Sequence, residues 1–593
     1  MRNFVTKLLA VIGGFTVFAF LLMFVIATLV RPGKGRIGER TILEVNLETN
    51  VIEDAPDDPF ARLTEQQTPV LRDIVEALEK ARDDSRVVGL VARVGTGRIG
   101  VAQTQEIRDA VLAFRAKKKF AVAYSETFGE FGPGNGAYYL ASAFDEIWLQ
   151  PSGDIGLTGL ALETMFIRGT LDKLGVIPRM DHRYQYKTAM DFYTEKKMTA
   201  ANREETGKVL ESIYGQMVKG IAEGRKMTPD QVRALVNKGP FLGKEALDAK
   251  LVDGMAYRDD VYDKLRRKAG KEASFLFLDK YLERAGRPHQ KGPVVALIFG
   301  LGGVQRGKSD FDPLQGSSSM GSDTLTAAFR EAVKDKDVKA ILFRVDSPGG
   351  SYVASDAIWR ETVRARKAGK PVIVSMSSVA GSGGYFVAMD ADKIVAQPAT
   401  ITGSIGVLGG KMLTNGLWDK AGVSWDGVHQ GDNALMFSST TDYSKEEWAR
   451  FQAWLDRVYQ DFTTKVAEGR KLPKEKVLEV AKGRIWTGED AKALGLVDEL
   501  GGYPVALKLV KQSIKANESE DVQLRVYPRK KTALEAILAR LGGEAPDSSE
   551  AKQAEAAVRM VEKVRPLLRT LHAMGLDGSR REVLSMPEPG LIR

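Results

Sequence analysis

The sequence predicts an α/β fold built from two like halves behind an apolar N-terminal span. Apolar, β-branched runs alternate with amphipathic stretches along most of the chain, which is the pattern of layered strands and helices. Whole segments also recur. Ala222-Glu223-Gly224-Arg225-Lys226 returns as Ala467-Glu468-Gly469-Arg470-Lys471, and Leu251-Val252-Asp253 returns as Leu496-Val497-Asp498, both 245 residues on. The third observation is length. At 593 residues the chain exceeds one ordinary domain, and the recurrence divides it into units of roughly 240, each large enough to bury a core without disulfides.

From Leu8 to Val30 the chain runs 23 residues without a charge, about 34 Å as a helix at ~1.5 Å per residue and enough for a bilayer core. Arg2 and Lys7 precede it, and Ile26-Ala27-Thr28-Leu29-Val30 makes a poor small-residue cleavage site. Residues 1–36 are therefore read as an uncleaved membrane anchor spanning 8–30, with a cleaved signal as the alternative. Arg31, Lys34, Arg36 and Arg40 follow the span, so counting positive charges leaves the side of the membrane open.

The first half, residues 37–285, opens on Thr41–Leu47, a strand by alternation and β-branching. Turn formers without periodicity mark 286–293 as a linker. The second half, 294–528, opens on the apolar strand Pro293–Phe299. It continues through the strand Ala340–Val345, the turn Asp346-Ser347-Pro348-Gly349-Gly350, a helix over 354–368 and the strand Pro371–Met376. A helical tail, 529–593, has no counterpart in the repeat.

Composition excludes several classes of function. With no cysteine there is no thiol chemistry and no cysteine metal site. The net charge of +9 is spread along the chain, with no run of basic residues interleaved with aromatics, so nucleic acid is not an expected partner. No His-Glu-x-x-His site and no Walker loop occurs, so neither a metal nor another cofactor is expected. His182 and His429 occupy matching positions 247 apart, which predicts shared structure rather than catalysis.

Two residues stand out for their chemistry, one in each copy. Gly134-Asn135-Gly136-Ala137-Tyr138-Tyr139 matches Gly381-Ser382-Gly383-Gly384-Tyr385-Phe386, so the glycine-flanked position is asparagine in one half and serine in the other. A strand-to-helix junction would expose the Ser382 hydroxyl. On its own such a loop is also a common turn, and Ala380 rules out the nucleophile elbow of Gly-x-Ser-x-Gly. Asp346-Ser347-Pro348-Gly349-Gly350 offers backbone N–H groups to a developing oxyanion, and serves equally well as a plain tight turn. Lys187, in Tyr186-Lys187-Thr188-Ala189-Met190, falls opposite about Asn433 of the second copy. A lysine is ordinarily a solvated cation, and to act as a base it must be buried.

Taken together, the anchor, the repeat, Tyr186-Lys187-Thr188-Ala189, Asp346 to Gly350, Gly381 to Tyr385 and Thr402-Gly403-Ser404-Ile405-Gly406 resemble the long, two-domain form of the signal peptide peptidase SppA family. Members of that family are membrane-anchored serine–lysine peptidases of Gram-negative bacteria. The resemblance implies a ClpP/crotonase-like α/β fold in each half, with Ser382 as nucleophile and Lys187 as general base. It further implies Gly350 and Gly383 as oxyanion donors, and Ser404 as the residue orienting the lysine. Peptide substrates, a homotetramer and a periplasmic body on the inner membrane follow from the same resemblance. Thr188 departs from it, since serine is expected there. A catalytically silent scaffold and a crotonase-type acyl-thioester enzyme are the alternatives. Sequence leaves open whether Lys187 meets Ser382 within one chain or between chains.

Overall fold

The computed structural model describes residues 35–54, 68–95, 97, 99–270, 272–312, 317–529 and 584–585. The expected span at 8–30 and nearly all of the expected tail lie outside the described residues. Among the described residues no helix is long and apolar enough to cross a membrane.

Two large sheets, one in each half, organise the protein, with three smaller ones beside them. In the first, the strands run in the order Gly254–Met255, Glu146–Leu149, Phe120–Ser125, Val87–Val94, Thr41–Leu47, Ser274–Phe277. Every pairing in this sheet is parallel. The second sheet repeats the order with Glu499–Leu500, Lys393–Ala396, Val372–Gly381, Val338–Ser347, Val294–Leu301, Gln523–Tyr527. Parallel neighbours require crossover connections, and their central strands are buried on both faces. That explains why Val294–Leu301 reads as an unbroken apolar run.

The recurring sequence segments turn out to make the same contacts twice. The helices Ala200–Arg225 and Lys445–Arg470 both end on a left-handed lysine, Lys226 and Lys471. Arg225 and Arg470 then pair with Asp253 and Asp498 at 2.8 and 2.6 Å. Those carboxylates accept the N–H of Ile147 and Ile394, fixing the second strand of each order. Tyr138 and Tyr385 donate to the carbonyls of Leu251 and Leu496 at 2.7 and 2.9 Å.

The linker is more ordered than its composition predicts. His289 is buried, its ring nitrogens facing Asp521 of the second half at 2.7 Å and Glu79 of the first at 3.2 Å. The expected likeness of His182 and His429 does not hold. His182 ends the strand Ile177–His182, which pairs antiparallel with Leu408–Leu413 of the second half, whereas His429 lies in an exposed irregular segment. The first half therefore reaches across to pair with a strand of the second.

Candidate active site

That reach carries Lys187 into the second half. After the strand Ile177–His182, Arg183 donates its N–H to Val407 at 2.9 Å and Tyr186 its N–H to Lys482 at 3.2 Å. Lys187 is then inserted between two glycines of the second half. A Cβ on Gly483 would stand 2.5 Å from the Lys187 nitrogen, and one on Gly406 would stand 3.2 Å from its Cδ. The side chain is completely buried. Its ammonium nitrogen lies 2.8 Å from Ser382 Oγ, 2.9 Å from Ser404 Oγ and 3.1 Å from the Ser404 carbonyl oxygen. Burial without a contacting counterion disfavours the charged form and lowers the lysine pKa to about 7, although Glu205 nearby opposes the shift.

Ser382 follows the strand Val372–Gly381 and precedes the helical turn Gly383–Phe386. Its φ is 53°, a conformation that serine rarely adopts. The Ser382 N–H bonds to the Gly403 carbonyl at 2.8 Å, which anchors this strained junction to the neighbouring strand. Ser404 also has positive φ, 50°, and is held by its N–H to Arg484 O at 2.8 Å. Strain at two adjacent loops, supported from both sides, aims both hydroxyls at one amine.

Gly349–Gly350 lies beside them. A Cβ built on Gly383 would be 3.0 Å from the Gly350 nitrogen, so the two loops are in contact. Gly350 has φ 150°, and its own Cβ would meet Val304 O at 2.2 Å. Gly383 opens its helical turn, so that turn gives its N–H no partner. A short strand from the C-terminal region, Leu584–Ser585, pairs antiparallel with Gly349–Gly350. All five residues singled out from the sequence, Lys187, Ser382, Gly383, Ser404 and Gly350, are therefore neighbours.

Sequence reading missed the acids around this site. Glu205, on the helix Ala200–Arg225, is buried and accepts the Thr188 hydroxyl at 2.6 Å and the Ile485 N–H at 3.3 Å. Burial pushes its carboxyl up to about 8. The hydroxyl kept by Thr188, the one departure from the family pattern, thus has a defined partner.

Behind the glycine loop, fully buried Arg344 donates to Glu53 at 2.8 Å, Glu106 at 2.9 Å and Ser375 at 2.8 Å. Glu53 also accepts from Ser377 and from Gln103. Burial opposes its ionisation, but the guanidinium and these donors outweigh that and hold Glu53 below its usual range. Both acids come from the first half, and Arg344 sits on the strand that leads into Gly349–Gly350. Among the described residues no cluster of three or more acidic or histidine side chains is disposed to hold a metal.

The comparisons point to a peptidase. The family model described as peptidase family S49 matches residues 113–272 and 364–517. "Protease 4" of Salmonella typhi is 32% identical over 531 residues, covering 87% of this chain and 82% of that protein. "Serine protease SPPA, chloroplastic" of Arabidopsis thaliana is 32% identical over 485 residues, covering 80% of this chain and 70% of that protein. "Putative signal peptide peptidase SppA" of Enterococcus faecium is 34% identical over 192 residues, 32% of this chain and 56% of that protein. A match over more than half the chain, with relatives that run along most of it, means that the chain belongs to peptidase family S49 as a serine peptidase of the long, two-domain SppA type.

Proposed function

We propose that this chain is a membrane-anchored endopeptidase that uses a Ser382–Lys187 dyad to degrade cleaved signal peptides and other short hydrophobic peptides. Its place would be the periplasmic face of the inner membrane, as a homotetramer. The observation that carries the reading is the 2.8 Å approach of a fully buried Lys187 amine to Ser382 Oγ within one chain. The apolar span at 8–30 supports the anchor. The name of the Enterococcus relative, a putative signal peptide peptidase, supports the substrate class.

Neutral Lys187 removes the Ser382 proton as Oγ attacks the scissile carbonyl carbon. The oxyanion forms against the N–H groups of Gly350 and Gly383. The C–N bond then breaks, the amine product leaves with the proton from the Lys187 ammonium, and an ester to Ser382 remains. Water, giving up a proton to the Lys187 amine, attacks the ester; the C–Oγ bond breaks, Lys187 returns the proton to Oγ, and the carboxylic acid product is released. Ser404 accepts from the lysine throughout and keeps Nζ directed at Oγ. An extended peptide adds as an antiparallel strand along Gly349–Gly350, the edge taken up here by Leu584–Ser585.

Cleavage of a hydrophobic signal-sequence peptide, followed by mass spectrometry, tests the reading. Wild type should cut it, and Ser382→Ala and Lys187→Ala should not. A fully active Lys187→Ala protein would sink the dyad, and would also reopen the acyl-thioester alternative, which has no need of this lysine.

A further inference from the structure

Lys187 is covalently remote from the half it serves, so contacts with the second half must set how far its arm is inserted. The turn Lys482-Gly483-Arg484 makes them on two sides. Toward the Ser404 loop, Arg484 O accepts the Ser404 N–H and the Gly483 N–H bonds to Ile405 O, both at 2.8 Å. Toward the arm, Lys482 O accepts the Tyr186 N–H at 3.2 Å, and Gly483 leaves no room for a Cβ beside Lys187. From this turn the Arg484 side chain, 17% exposed, reaches onto the first half. Its guanidinium carbon lies over two rings, 4.7 Å from the centre of Tyr186 and 4.6 Å from that of Trp486. Nη1 is 3.0 Å from Glu204 Oε1, and the Tyr186 hydroxyl donates to the other oxygen of that carboxylate at 2.8 Å.

Lys187 Nζ and Ser382 Oγ have their own partners, and Arg484 is not among them. Its ion pair is a poor source of stability, since Glu204 is half exposed and such pairs add little to folding. What a guanidinium offers over other cations is orientation, because it is planar, packs on aromatic faces and forks to a carboxylate. Here one ring belongs to the residue before Lys187. The other belongs to the strand Ile485–Thr487, which pairs antiparallel with Ile401–Gly403, the strand that runs into Ser404. The repeat points the same way. Lys482-Gly483-Arg484 matches Lys238-Gly239-Pro240, 244 residues earlier, and Ser404 matches Leu157, 247 earlier. The half without the nucleophile thus lacks both this cation and the hydroxyl that orients the lysine.

We propose that Arg484 is a positioning residue for peptide cleavage, a clamp that fixes the arm bearing Lys187 against the loop bearing Ser404. It holds Tyr186 of the first half beside Trp486 of the second, with Glu204 as its anion, and so keeps Lys187 Nζ within reach of Ser382 Oγ. This role rests on the Ser382–Lys187 dyad read above and adds to it the part that sets its distance. The effect falls on rate and not on affinity. Reacting groups displaced by about 1 Å can lose ~10²-fold in rate, while the peptide edge at Gly349–Gly350 is untouched.

Full-length Arg484→Ala, Arg484→Lys and Lys187→Met proteins, compared with wild type in detergent, test the role. Phosphonylation of Ser382 by a fluorophosphonate gives the fraction of sites finally labelled and the rate per site. In Arg484→Ala the final fraction should equal that of wild type, and the rate on the high-pH plateau should fall ~10²-fold. Peptide kcat should fall in step, with KM changed by no more than about threefold. Arg484→Lys, which keeps the charge without the plane, should recover only part and stay about tenfold below wild type. A smaller final fraction with an unchanged rate per site would mean that Arg484 only helps the chain fold, and would overturn the proposal. Should Arg484→Ala fold poorly, a cycle of Arg484→Lys with Tyr186→Leu decides. Losses that multiply, as for independent sites, overturn the clamp, and a double variant no slower than Tyr186→Leu alone supports it. Lys187→Met separates the two readings. If it reacts like wild type the dyad fails and the clamp with it, whereas an unreactive Lys187→Met beside an unaffected Arg484→Ala removes the clamp and leaves the dyad.

Discussion

The two glycine-flanked loops of this chain occupy equivalent places and do opposite things. In the first half Asn135 is buried and satisfied by its own surroundings. Its Nδ2 donates to Gly159 O at 2.9 Å, and its Oδ1 accepts the N–H groups of Thr158 and Gly159 at 3.0 and 3.1 Å. In the second half Ser382 holds a strained backbone, and its hydroxyl meets an amine supplied by the other half. An amide that ties down its own loop makes a structural pin. A hydroxyl whose partner comes from elsewhere makes a reactive site. One loop architecture thus serves stability in one copy and chemistry in the other.

The comparison can be broken in stages. Ser382→Ala and Lys187→Met should each lower peptide cleavage about 10⁴-fold or more, because members of a catalytic unit fail together. Lys187→Met should still match or exceed wild type in thermal stability, since it removes a buried amine and leaves only hydroxyl and carbonyl partners that water or rotation can satisfy. Asn135→Ser, by contrast, should create no second site. A fluorophosphonate should label that variant at Ser382 alone, as found by peptide mapping.

Gly350→Ala should lower kcat by ~10²–10³-fold, the usual cost of losing an oxyanion donor. Its new Cβ would meet Val304 O, forcing the loop away from Ser382. In the pin itself, Asn135→Ala should cost about 1–3 kcal/mol in denaturant unfolding, from backbone N–H groups left unsatisfied, while Ser382 labelling stays intact.

The smallest effect sharpens the role of burial. Lys187 titrates near 7, so kcat/KM should rise with pH through about 7 and level off above it, where the amine is free. Glu205, when ionised, favours the ammonium. Because that carboxyl is itself pushed up to about 8, it is mostly protonated where Lys187 titrates, so Glu205→Gln should move the rising limb to lower pH only slightly. Arg484, the other charged group acting on Glu205, is left in place by this change.

How much of this was legible in the sequence depends on what carried the signal. Ser382 and the Asp346 to Gly350 turn stood out because glycines mark places where backbone must bend or approach closely. The strand Val294–Leu301 was legible because parallel central strands are apolar on both faces, and Thr41–Leu47 because its apolar residues alternate. Lys187 stood out in the repeat but took its role as base from the resemblance to a family, since nothing in Tyr186-Lys187-Thr188 shows that Gly406 and Gly483 will enclose it. Glu53, Glu106 and Glu205 were invisible. Glu106 and Glu205 sit on helices that look solvated in sequence, and each is buried by a partner in the other half, Arg344 and Ile485 among them. His182 and His429 misled for the same reason: equal positions in the repeat do not have equal partners, since His182 pairs with a strand of the other half and His429 lies in an exposed irregular segment.

The central claim is that one site is divided between two halves, with the base in the first and the nucleophile in the second. The rate of Ser382 phosphonylation by a fluorophosphonate, followed across pH in wild type and Lys187→Met, tests it most directly. Wild type should react at a rate rising through about pH 7, and the variant should be almost unreactive at every pH. Equal labelling of the two proteins, with the same pH dependence, would contradict the account.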